Sequence, residues 1–142
     1  MLKGIPSIIS PYLMKTMMEM GHGDEIVLAD GNFPASSCAK RLIRCDGHSI
    51  TDILDALLKF LPLDYAVQYP AIVMAVPQGN PYQPVVRDGY LSIISKYEAS
   101  VKEFELLDRF SFYERAKKAY AIVATGESAR FANIILVKGF VR

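Results

Sequence analysis

Charge of one sign is missing from this chain. Its 16 Lys and Arg stand against 15 Asp and Glu, leaving a net charge of +1. That balance produces no field to gather nucleic acid or anionic lipid, so neither partner is expected. Cysteine is nearly absent too: Cys38 and Cys45 can form one bridge at most. The opening Met1-Leu2-Lys3-Gly4-Ile5-Pro6 lacks the long apolar core of a secretory signal, so reduced thiols and a cytoplasmic location are expected. No run approaches the ~18 apolar residues that a membrane helix needs. There is no phosphate-cradling glycine loop and no basic–aromatic stripe. Ser36, Ser37 and Cys38 belong to no nucleophile elbow.

What remains is an apolar chain, 51% hydrophobic and 22% charged. Its 142 residues suit one domain spanning 1–142. A chain of this size buries roughly two-thirds of its unfolded surface and needs no metal or disulfide to hold it together.

Ser10-Pro11 opens a helix, with Leu13, Met17 and Met20 at helical spacing as core and Gly21 placed to end it. Residues 25–30 form a short apolar run that reads as a buried strand, and residues 31–34 turn the chain. Residues 41–44 suit a second strand. Ser49 starts a helix whose apolar face reaches Leu61, where Pro62 stops it. Residues 71–76 are continuous and apolar, as in a strand covered on both faces. A proline-rich loop follows at 77–84, then a helix over 85–98. Residues 104–107 suggest a weaker strand. Ser111 and Glu114 have capping-box spacing, predicting a helix over 111–119. Residues 120–124 and 134–137 complete the set of buried strands. Helices alternating with apolar strands predict an α/β fold, with a mostly parallel central sheet flanked by helices in three layers.

Three polar concentrations could carry chemistry. In Gly21-His22-Gly23 the histidine's neighbours have no side chains, so a small ligand can approach closely. Asp30 lies at the far end of the strand that follows. Each also has a plain structural reading, His22 as an exposed loop residue and Asp30 as the start of an Asx turn. Asp24 and Glu25 read as solvated, and His22, Asp24, Glu25 and Asp30 match no metal-ligand spacing. Gly21-His22-Gly23 precedes a strand instead of following one, which rules out a dinucleotide fingerprint. The second concentration is residues 108–115. There Arg109 offers a fixed fork of donors and Tyr113 an apolar ring with a polar tip, while Glu114 and Arg115 read as a soluble helix surface. The third is the polar turn 125–133, in which Asn133 can both donate to and accept from a sugar hydroxyl or simply serve the turn.

Taken in order, these segments resemble the D-ribose pyranase and L-fucose mutarotase family. The likeness runs from Leu2-Lys3-Gly4-Ile5 to residues 134–139. It rests on residues 20–30 with Asn32-Phe33-Pro34, on 43–47, on Leu61-Pro62-Leu63-Asp64, and on 109–116 through Ala124-Thr125-Gly126-Glu127. Phe112-Tyr113-Glu114-Arg115-Ala116 is similar to the fucose branch. The resemblance implies a catalytic His22, substrate contacts at Asp30, Arg109 and Phe131-Ala132-Asn133, a ring contact at Tyr113, and Asp64 as a second acid/base. It also implies a decameric ring of identical subunits with sites near their boundaries, no cofactor, and a monosaccharide substrate, L-fucose before D-ribose. Position 131 departs from the family's usual tyrosine: Phe131 keeps the ring and lacks the hydroxyl. Ala132 is as in the ribose branch. Rival expectations are a D-ribose pyranase, a non-catalytic sugar-binding oligomer, and an assembly subunit with neither property.

Overall fold

The computed structural model describes all residues, 1–142. In chain order the elements are α1 (Pro11–Glu19), β1 (Glu25–Ala29), α2 (Ala35–Cys38), β2 (Leu42–Cys45), α3 (Ile50–Leu57), β3 (Ala71–Met74), α4 (Val86–Tyr97), β4 (Glu105–Leu107), α5 (Arg109–Lys118), β5 (Ala121–Thr125) and β6 (Ile134–Val137). The six strands form one sheet in the order β2-β5-β1-β6-β3-β4. Neighbours β2–β5, β5–β1 and β3–β4 are parallel, and β6 alone runs against its neighbours β1 and β3. The carboxyl ends of five strands and the amino end of β6 therefore share one edge.

Alternation along each strand builds a core on either face. Ile26 and Leu28 of β1 pack with Leu13, Met17, Leu54 and Ile94 from α1, α3 and α4. Val27 and Ala29 face Phe112 and Ala116 of α5. This is the expected three-layer α/β arrangement. Burying each large apolar side chain completely stabilises the fold by about 1.5–3 kcal/mol, and Leu13, Leu54, Ile94 and Phe112 are all fully buried.

Several local expectations change. Gly21 is not the conformational stop of α1: Met20 leaves the helix in an extended conformation, and the left-handed residue is Gly23, at φ 88°. α3 ends at Leu57, short of Pro62, and Leu58 and Leu61 are buried from the turn that follows. α5 begins two residues before Ser111. The reason is Asp108, whose Oδ1 accepts the Ser111 N–H at 2.9 Å and whose Oδ2 accepts its hydroxyl at 2.8 Å. A carboxylate at a helix start satisfies an orphan donor and meets the positive end of the dipole.

Glu25 and Arg115 are not free surface charges either. Arg115 donates to both Glu25 oxygens through Nε at 3.1 Å and to Oε2 again through Nη2 at 2.6 Å, and its Nη1 reaches Glu105 at 3.2 Å. The carboxylates hold the guanidinium above its ordinary value. This half-buried triad ties α5 to β1 and β4. Arg115→Ala leaves Glu25 unpaired at 19% exposure and is expected to cost about 1–3 kcal/mol. Urea denaturation with an unchanged midpoint would contradict this.

Candidate functional site

The glycine-flanked His22 lies before β1, on a loop fastened from the other end of the chain. Lys138 accepts the Gly23 N–H, donates its own N–H to the Asp24 carbonyl, and reaches the Met20 carbonyl with Nζ at 2.7 Å. On its other side the same segment grips residues 62–64, through Gly139 N–H to Pro62 and Asp64 N–H to Val137. A Cβ at position 139 would lie 2.5 Å from the Leu63 carbonyl oxygen, so only glycine allows this approach. The result is a pair made across 42 residues: His22 Nε2 lies 3.1 Å from Asp64 Oδ2. The Asp64 side chain is 4% exposed and the imidazole 49%. Asp64 Oδ1 accepts the Ala66 N–H, and Phe140 packs edge-on against the imidazole at 5.0 Å. The histidine is thus held on one edge and open on the other.

The second group lies at the opposite edge of the sheet. Asp30, Phe33, Arg109, Tyr113, Phe131 and Asn133 line a cleft of about 290 Å³, near the lower end of the roughly 300–1,000 Å³ typical of small-molecule sites. Each comes from a strand end or a helix start: Asp30 after β1, Arg109 and Tyr113 on the first turns of α5, and Asn133 just ahead of β6. Asp30 N–H donates to Asn133 Oδ1 at 2.7 Å, which leaves the Asn133 amide NH₂ for a ligand. The Arg109 guanidinium lies 5.4 Å from the centre of the Tyr113 ring, and Phe33 meets that ring edge-on at 5.0 Å. Ala132 is fully buried beneath the cleft, its carbonyl accepting from the Tyr90 hydroxyl at 2.9 Å.

Asp30 is itself buried, and desolvation pushes its carboxyl above the ordinary 3.8 against the N–H groups of Asn32, Phe33 and Ala132. The folded chain therefore holds this proton more tightly than the unfolded chain does. The resulting stabilisation is complete below pH 3.8 and is lost as pH rises through the higher folded value. Asp30→Asn keeps an acceptor for the Asn32 N–H and lacks that loss. Thermal melts from about pH 4 to neutrality should show a flatter profile and a higher neutral melting point for the variant. A parallel pair of profiles would rule this out.

The structure joins His22 to Asp64, and Asp30 to Arg109, Tyr113, Phe131 and Asn133, but it does not join the two groups. β1 lies between them, about 17 Å of extended chain. Nor can His22, Asp24, Glu25 and Asp30 converge on one ion, since Glu25 is committed to Arg115 and Asp30 is at the far edge. Sequence reasoning missed Arg87, Tyr90 and Gly139. The first two carried a signal: Arg87, Tyr90 and Ile94 are spaced i, i+3, i+7 and form the buried stripe of α4. A charge on an apolar stripe is unusual.

Residues 3–141 match the model of the RbsD / FucU transport protein family. An L-fucose mutarotase of Haemophilus influenzae (strain PittGG) is 47% identical over 139 residues, covering 98% of this chain and 96% of that protein. The crystal structure of the fucose mutarotase of Streptococcus pneumoniae in complex with L-fucose is 52% identical with a TM-score of 0.95, over 99% of this chain and 100% of that one. FucU from Bifidobacterium longum is 46% identical, also at a TM-score of 0.95 and with the same coverage.

Proposed function

The chain belongs to the RbsD / FucU transport protein family, and on that premise we propose that it interconverts the anomers of L-fucose without a cofactor. The observation that carries this reading is the 52% identity, over 99% of the chain, to a fucose mutarotase crystallised with L-fucose. The protein is proposed to work in the cytoplasm as a homo-oligomer, a decamer by family resemblance.

Mutarotation moves two protons and changes no oxidation state. The anomeric hydroxyl loses a proton, the ring oxygen gains one, and the bond between C1 and the ring oxygen breaks to give the open aldehyde. Rotation of the carbonyl followed by the reverse transfers closes the other anomer. His22 is the proposed donor to the ring oxygen, because imidazole exchanges protons near neutrality. Asp64 is proposed to orient the ring and to stabilise its cationic form. Asp30 is proposed to take the anomeric proton, a role suited to a carboxylate whose proton affinity burial has raised. Arg109 and Asn133 would fix sugar hydroxyls, with Tyr113 and Phe131 packing against the apolar face of the ring and the Ala132 backbone supporting Asp30.

The separation of His22–Asp64 from the Asp30 cleft supports a site completed by two protomers. One presents its histidine edge to the other's cleft, which makes the oligomer part of the chemistry.

The test is anomer exchange by saturation-transfer NMR on L-fucose and D-ribose. The proposal expects exchange on fucose well above the buffer rate and faster than pyranose–furanose exchange on ribose. Faster ribose exchange would favour a ribose pyranase, and binding without exchange a non-catalytic sugar protein.

A further inference from the structure

Phe131 is the only residue other than glycine with a positive φ, 53°. An aromatic side chain in the left-handed region is strained, so something must hold it there. The holder is Arg87 on α4. Its Nε and Nη2 donate to the Phe131 carbonyl at 3.0 and 2.7 Å, and Nη2 also donates to the carbonyl of Met74, the last residue of β3. Arg87 is 8% exposed and has no carboxylate partner. Burial pulls its guanidinium below the ordinary value. A cation buried among neutral carbonyls is costly, and a lysine would offer one point charge in place of a fork. One turn further along, Tyr90 takes the next carbonyl, that of Ala132. α4 thus pins two consecutive peptide groups immediately before Asn133.

We propose that Arg87 is a positioning residue for sugar binding: by clamping Phe131 in its left-handed conformation it sets the Phe131 ring and the Asn133 amide in the cleft. Asn133 lies two residues beyond the clamp, and its Oδ1 has to meet the Asp30 N–H at 2.7 Å for its NH₂ to face a ligand. If the turn relaxes to negative φ, the ring and the amide both swing. Arg87 touches no reacting atom, so its loss weakens ground-state contacts more than it slows proton transfer. The inference rests on the sugar-isomerase reading.

The experiment is a double-mutant cycle on the full chain, measuring L-fucose exchange against sugar concentration, with melting points recorded for every protein. Arg87→Gln is expected to lower kcat/KM by about 10–100-fold, mostly through KM, because small displacements of binding groups have effects of that size. Arg87→Lys, able to reach one carbonyl, should fall between. Phe131→Gly loses the ring but accepts positive φ freely, so adding Arg87→Gln to it should cost less than about twofold. An equal loss in both backgrounds, or a fall in kcat matching the loss of folded protein at constant KM, overturns the proposal. Absence of exchange in the unmodified protein would instead sink the isomerase reading. The clamp would then be judged from the same cycle in melting point, where additive effects would refute it.

Discussion

His22→Gln is expected to reduce protein-driven exchange of L-fucose anomers by about 10²–10⁴-fold, the range that a positioned proton carrier supplies. Glutamine can still donate an N–H towards Asp64 but cannot titrate, so the substitution separates chemistry from packing. His22→Ala should abolish exchange equally. It should also cost about 1–3 kcal/mol of stability, since it removes the partner of a buried Asp64 oxygen. The comparison is decisive because the imidazole is half exposed and adds little to the core. Exchange at the unmodified rate in both variants would remove His22 from the mechanism. Loss in His22→Ala with full activity in His22→Gln would make it a structural partner of Asp64.

The second expectation concerns assembly. His22→Gln and Asn133→Ala proteins should each be nearly inactive on their own. Co-expressed in equal amounts, they should recover about a quarter of the unmodified activity, as random pairing leaves one site in four with both edges intact. The reasoning is geometric. His22 and Asp64 lie ahead of β1, while Asp30 and Asn133 lie past its other end. No side-chain motion spans that strand, so on the proposed mechanism the groups would come together only with a second copy. A mixture no more active than its parents would show that the two edges serve different purposes.

Much of the architecture was legible from periodicity. The runs at 26–29, 71–74, 121–124 and 134–137 are strands because their apolar side chains are covered on both faces. Ser10 and Ser49 cap their helices as expected, each accepting the backbone N–H three residues on. The capping box at Ser111 failed because an earlier and better acceptor, Asp108, stood three residues before it. Glu25 and Arg115 were misread as solvated because their partners are 90 residues apart in sequence.

The sequence alone determined which segments are apolar enough to be strands, and that His22, Asp30 and Asn133 stand in polar connections beside them. Local pattern decides those things, since burial periodicity, capping and turn chemistry act over a few residues. The tertiary structure alone decided that β6 runs against its neighbours, that His22 meets Asp64, that Arg87 holds the Phe131 turn, and that the two polar groups occupy opposite edges. Each of these depends on contacts between residues tens of positions apart, which close packing fixes and no local pattern records.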